Sequence, residues 1–227
     1  MIDIETLINT TLLMDIFVNA LIYYLIFNLT YYLLSGVLFL IDYYKIFIEK
    51  KIQHKTTIIE TYKKTVRCVM QNTLFYIIFP ILLFSWYDSL HVTEFSYLRG
   101  VLDIFVTYFL TDILFYAIHR IFHTKYLYKR FHKKHHTITA PVGFSALYMT
   151  VLDLYFSNFV PVFVPMYVLG AHPITIKVWM IITTVDTILL AHSGFKKLAD
   201  FHDYHHERFN KNYGTDVFMD RVFKTRY

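Results

Sequence analysis

The feature that most constrains this 227-residue chain is a series of apolar runs long enough to cross a bilayer. A hydrocarbon core of about 30 Å takes roughly 17 to 25 helical residues, and lipid offers no partner to unpaired backbone groups. The run from Ile16 to Ile41 is the longest, and Val69 to Trp86 and Val101 to Ile118 follow. Met149 to Leu169 and Ile174 to Leu190 read as a hairpin closed by Gly170 and Pro173. The expectation is an all-α integral membrane bundle of four spans, or five if both hairpin arms cross. Pro161 and Pro165 interrupt the first arm, which predicts a kinked or re-entrant segment there. No basic residue precedes the first apolar run, so no cleavable signal peptide is expected.

The charges orient this bundle. Of 22 basic residues, seven lie in Lys45 to Arg67, six in Arg120 to Lys134 and seven in Lys196 to Arg226, leaving only Arg99 and Lys177 elsewhere. Cytosolic loops collect Lys and Arg close to spans. Five crossings put all three segments on the cytosolic side, opposite Asp3, Glu5, Asp15 and the loop from Asp88 to Arg99. The +5 net charge is thus a topology signal. Nucleic acid is not an expected partner, because the aromatics sit in the apolar runs. The single cysteine, Cys68, excludes an internal disulfide and a Cys-rich zinc module.

The chemistry lies in the histidines. His119 and His123 close the Val101 run at a spacing that puts both on one helix face. His132, His135 and His136 follow, and His202, His205 and His206 repeat that spacing. In each triple the first imidazole lies one turn from the other two, so three nitrogens are expected on one side. His192 precedes Ser193-Gly194. All nine fall in segments assigned to the cytosolic face. His54, His91 and His172 stand alone and read as interfacial or packing residues. Nine imidazoles exceed the four ligands of one structural zinc, so two ions with open positions are expected. Imidazole suits iron, zinc, copper and nickel alike.

Three passages resemble the fatty acid hydroxylase/sterol desaturase superfamily of membrane histidine-box enzymes. They are His119-Arg120-Ile121-Phe122-His123, the run Tyr128 to His136 continuing to Ala140-Pro141, and His202-Asp203-Tyr204-His205-His206 with Asn212-Tyr213-Gly214. The resemblance covers about Asp112 to Thr225, and it divides the chain into N-terminal membrane helices with a polar loop, 1–100, and a hydroxylase domain, 101–227. It implies a cytosolic cap holding two irons, for which zinc can substitute on isolation. His119, His123, His132, His135, His136, His192, His202, His205 and His206 would be the ligands, with no catalytic group beyond them. It further implies oxygen-dependent hydroxylation, methyl oxidation or desaturation of a lipid at the endoplasmic reticulum. A sterol is the first expectation, and a sphingoid base or fatty acyl chain the alternative. The electron donor would be cytochrome b5 or a reductase, since no dinucleotide-binding glycine loop is present.

Several positions depart from the family pattern. Thr150-Val151-Leu152-Asp153 stands where relatives have His-Pro-x-Glu, Leu189-Leu190-Ala191 lacks an acid, Phe201 replaces a frequent histidine, and Met219 to Thr225 varies the usual ending. Asp112, seven residues before His119, is expected either to orient a ligand through its second nitrogen or to serve a polar packing contact. Asn212 is expected to brace the third cluster or cap a turn. Two rivals stand beside the enzyme reading. A metal transporter would want its ligands near mid-membrane; a non-catalytic relative would keep metal as structure only.

Overall fold

The computed structural model describes residues 4–52, 58–91 and 94–227, with side chains over 10–52, 59–91 and 94–227. The readings of Asp3, Glu5, His54 and Lys55 lie outside these residues or side chains. Among the described residues there are helices and no strands, only an isolated bridge between Lys51 and Phe195.

Helix α1, Ile4–Tyr43, shows why the apolar runs settle as they do. Tyr23, Phe27 and Tyr31 recur every fourth residue and are buried, while Leu21, Leu25, Leu29 and Leu33 on another face stay exposed. A helix apolar on both faces loses nothing by facing lipid, whereas water would penalise it. The second span joins α2, Ile58–Gln71, to α3, Ile78–Leu90, through a π-helical stretch at Asn72–Tyr76. Pro80 explains the irregularity, because it has no N–H to give the Tyr76 carbonyl one turn back. The freed carbonyl instead accepts the Tyr155 hydroxyl at 2.7 Å.

Helix α4, Tyr97–Phe122, carries the first histidines at its end. Short turns follow, with a π turn at Tyr128–His132 and 3-10 turns at His135–Thr137 and Gly143–Leu147. The fourth span is the turn Val151–Asp153, a π stretch at Leu154–Phe159 and α5, Val160–Val168. The fifth is α6, Pro173–Val185, extended by a π stretch at Asp186–Ala191. Beyond it lie α7, Asp200–Arg208, and α8, Met219–Val222. Among the described residues five helical stretches, each of 18 residues or more, are apolar enough to cross a membrane. The two prolines leave the fourth irregular without turning it back.

Contacts at the two ends show that both hairpin arms traverse the bundle. At one end Lys51 Nζ donates to the Ser193 carbonyl at 2.6 Å, Lys64 Nζ to the Thr137 carbonyl at 3.2 Å, and Lys196 N to the Lys50 carbonyl at 2.9 Å. The three basic segments therefore share one end. At the other, Arg99 Nη2 donates to the Leu169 carbonyl at 2.7 Å and the Tyr87 hydroxyl to the Ala171 carbonyl at 3.1 Å. Arg99 and Lys177, the two basic residues outside those segments, are paired with Asp103 and Asp88. His91 and His172 lie at this second end, where each ring contacts nearby backbone.

Candidate metal centre

The last turn of α4 presents His119, and His123 caps it, their ring centroids 4.9 Å apart. His132, His135 and His136 come from the turns after α4, His192 from the end of the fifth span, and His202, His205 and His206 from α7. The nine imidazoles form two groups. His119, His123, His132, His136 and His205 make one, and His135, His192, His202 and His206 the other; within each group one ligating atom per residue lies within 4.8 Å of the rest. The two groups touch, since the His136 and His206 rings are 4.7 Å apart.

This corrects the expectation that each triple converges on one side. His132 and His136 serve the first group and His135 the second, whereas His202 and His206 serve the second and His205 the first. Consecutive helical residues point about 100° apart, as 3.6 residues per turn require. Each HxxHH box thus gives its first and last histidine to one group and its middle one across to the other.

The second ring nitrogens show what the centre is built to hold. His119 Nδ1 faces the Tyr213 carbonyl at 2.7 Å, His192 Nδ1 the Thr187 carbonyl at 2.7 Å, His205 Nδ1 the Lys211 carbonyl at 2.6 Å, and His206 Nδ1 the Ile138 carbonyl at 2.9 Å. A carbonyl only accepts, so each Nδ1 carries the proton and each Nε2 keeps its lone pair. His132 Nδ1 donates to both oxygens of Asp153, at 3.0 and 2.9 Å. His119 Nε2 and His132 Nε2 then face each other at 3.0 Å with no proton between neutral rings. Two opposed lone pairs at that distance call for a cation. Ligands about 2.1 Å from an ion and at right angles to one another lie about 3.0 Å apart. His132 and His136 at 2.9 Å and His202 and His206 at 3.1 Å show the same spacing. Among the described residues, His123 Nε2, His192 Nε2 and His205 Nε2 are buried without a hydrogen-bond partner.

Burial also keeps these rings neutral, the form a metal needs. It lowers His132 to about 3 and His192 to about 4. Burial, with repulsion from neighbouring imidazoles, holds His123, His135, His136, His202, His205 and His206 well below the usual histidine range. The donor set fits two cations.

Of its two expected roles Asp112 takes the polar packing contact, with no hydrogen bond to an imidazole among the described residues. Its carboxylate accepts from Thr215 N at 2.8 Å, Thr215 Oγ1 at 2.9 Å, Phe218 N at 3.0 Å and Met219 N at 2.8 Å. It therefore fastens to α4 the loop whose Tyr213 carbonyl orients His119. Asp220 holds the same loop by accepting from Tyr213 N at 2.9 Å and Gly214 N at 2.6 Å. A Cβ at Gly214 would meet Asp112 Oδ1 at 2.7 Å and Asp220 Oδ2 at 2.8 Å. Asn212 braces α7, its amide donating to the Phe201 carbonyl at 2.8 Å while its oxygen accepts from Tyr227 N at 2.7 Å. The carboxylate that reaches a ring is Asp153, which the sequence marked only as part of a departure from the family pattern. Its signal was its place in the first turn of the span that follows the second histidine box.

Beneath the imidazoles lies a cavity of about 390 Å³. His119, His132, His135, His192 and His202 line one end, and Tyr108, Trp179 and Ile182 lie further along its wall. Tyr108 is eleven residues before His119 on α4, so the cavity reaches about 16 Å into the layer spanned by the helices. Paired cation sites over a cavity that runs into the apolar layer suit chemistry on a lipid.

Comparison with known proteins agrees with this geometry. The sequence model described as "Fatty acid hydroxylase" matches residues 104–225. Fatty acid hydroxylase domain-containing protein 2 of Homo sapiens is 32% identical over 173 residues, covering 72% of this chain and 51% of the relative. Very-long-chain aldehyde decarbonylase GL1-11 of Oryza sativa subsp. indica is 30% identical over 223 residues, covering 86% and 81%. Methylsterol monooxygenase 2-2 of Arabidopsis thaliana is 36% identical over 134 residues, covering 52% and 50%. The chain spans about half the length of the first curated relatives it matches, at 51%, 48% and 47%. No solved structure matches it.

Proposed function

The chain belongs to the fatty acid hydroxylase family, and on that footing we propose that it is a membrane-bound di-iron enzyme that uses dioxygen to oxidise a lipid, with a sterol as the leading substrate. The observation that carries this is the pair of Nε2 lone pairs on His119 and His132, opposed at 3.0 Å inside a shell of seven further imidazoles. The nine histidines are the ligands, five to one ion and four to the other. When bound, the irons supply activation of dioxygen and oxidation of a carbon–hydrogen bond, chemistry that imidazole alone lacks.

The chain's own residues do the rest. Asp153 and the carbonyls of Tyr213, Thr187, Lys211 and Ile138 hold the protons of five rings on Nδ1, so that Nε2 faces inward. Trp179 and Ile182 keep the far end of the cavity apolar, and the cavity's depth aligns a long lipid beneath the rings. The sterol reading draws on the methylsterol monooxygenase relative. Electrons come from a separate cytochrome b5 or reductase. The basic residues gathered at the histidine end support a cytosolic placement of the centre, at the endoplasmic reticulum.

Lipid profiling of cells with and without the chain, repeated with His135→Ala, tests this reading. An oxidised lipid that appears with the parent and disappears with the variant is expected. Unchanged lipids with the parent, when two irons are bound and a reductant is supplied, would overturn it.

A further inference from the structure

We infer that the lipid enters the cavity sideways from the bilayer, between α4 and the fifth span, and that Asp186 anchors it there by a hydroxyl group. This deepens the proposed function and rests on it for the lipid character of the ligand. Tyr108, Ile182 and Leu190 line the cavity and are also 44%, 41% and 43% exposed on the apolar outer surface. Side chains that belong to both surfaces mark an opening: exposed Lys197, Leu198 and Asp200 mark one at the histidine end, and Tyr108, Ile182 and Leu190 mark one within the layer, where it faces lipid chains instead of water.

Asp186 lies on the cavity wall in the π stretch that leads to His192. Among the described residues no side chain forms an ion pair with it or donates a hydrogen bond to it. Among the described residues the fully buried acids of the spans are occupied: Asp42 by Lys51, Asp88 by Lys177, Asp103 by Arg99, Asp112 by the loop at Thr215 and Asp153 by His132. A carboxyl set among hydrocarbon is costly, and where it faces a cavity the ligand is its natural partner.

A hydroxyl suits this place better than an ammonium. It both donates and accepts, so it pairs with the carboxyl in either protonation state and brings no second charge into the layer. Asp186 is six residues before His192, more than one turn of the π stretch. The anchored hydroxyl and the carbon presented to the imidazoles then sit at separate levels of the cavity, so oxidation falls away from the hydroxyl-bearing carbon and its immediate neighbour.

Tryptophan quenching tests this without turnover. The chain has two tryptophans, and Trp86→Phe leaves Trp179, which is 2% exposed and lines the cavity. The metal-free variant in lipid nanodiscs is titrated with a long-chain alkanol brominated on the carbon beside the one that bears the hydroxyl, the end held near Trp179, and with the matching bromoalkane. The alkanol is expected to quench Trp179 at about tenfold lower bilayer mole fraction, the size of one charged hydrogen bond. Asp186→Leu should erase that preference while leaving quenching by the bromoalkane in place, which shows the cavity intact. Asp186→Asn, which still accepts and donates, should retain most of it. Equal quenching by both probes in the parent, or a preference that survives Asp186→Leu, overturns the inference. If Asp186→Leu loses quenching by both probes, the asparagine variant decides, and loss of the preference there overturns it. Anchoring without any lipid oxidation would instead sink the proposed activity.

Discussion

Replacing Asp112 by alanine removes the acceptor of four hydrogen bonds, three of them from backbone N–H groups of Thr215, Phe218 and Met219. Each buried N–H left alone costs about 1 to 3 kcal/mol. The three residues are half-buried and water reaches part of the loop, so the lower end applies and the loop loses roughly 3 kcal/mol of attachment. That loop carries the Tyr213 carbonyl that fixes His119 and continues from the Lys211 carbonyl that fixes His205. Both rings belong to the five-histidine group. Losing an orienting partner typically costs about 10- to 100-fold in metal affinity. Asp112→Ala should therefore weaken one ion by at least that factor and leave the other, so that chelator competition followed by elemental analysis finds one metal per chain where the parent keeps two. Asp112→Asn should fall between, because its Oδ1 still accepts from Thr215 while its NH₂ meets two donors. Two ions held as tightly in Asp112→Ala as in the parent would refute the reasoning.

Asp153→Ala should weaken the same ion about 10- to 100-fold by leaving His132 Nδ1 without its acceptor, as read by metal titration. Gly214→Ala should lower the melting temperature by several degrees, since its Cβ would push apart two carboxylates that hold the loop, a cost of about 2 kcal/mol; an unchanged melting temperature would contradict that packing. The metal-free protein should lose stability as pH falls. His132 at about 3 and His192 at about 4 stay neutral when folded, whereas in the unfolded chain they take protons below about 6.5. Neither affects stability above about pH 6.5, and unfolding followed by far-UV circular dichroism should grow easier from there down to about pH 4. A flat profile over that range would argue against burial of neutral rings.

The sequence made the membrane architecture legible because span length and basic asymmetry are properties of whole segments. It exposed the histidines because two HxxHH boxes repeat one spacing. How each triple divides was not legible, since spacing fixes the angle between side chains but not the neighbour each one faces; His135 and His205 cross over because segments far apart in sequence meet there. The carbonyls of Thr187, Lys211 and Tyr213 were invisible for a simpler reason, that every residue has one. Asp112 was singled out by its seven-residue offset from His119, yet it turns its carboxylate to the loop at Thr215, and the imidazole contact falls to Asp153. Pro161 and Pro165 predicted irregularity in the fourth span, and the π stretch at Leu154–Phe159 lies in that span; the one at Asn72–Tyr76 in the second span was not foreseen, although Pro80 was its signal.

X-ray absorption at the iron edge, on protein purified from iron-fed cells and quantified per chain, bears most directly on the central claim. Two irons per chain, in shells dominated by imidazole nitrogen at about 2.1 Å, are the expected result. A single iron, or a shell dominated by oxygen or sulfur, would contradict it.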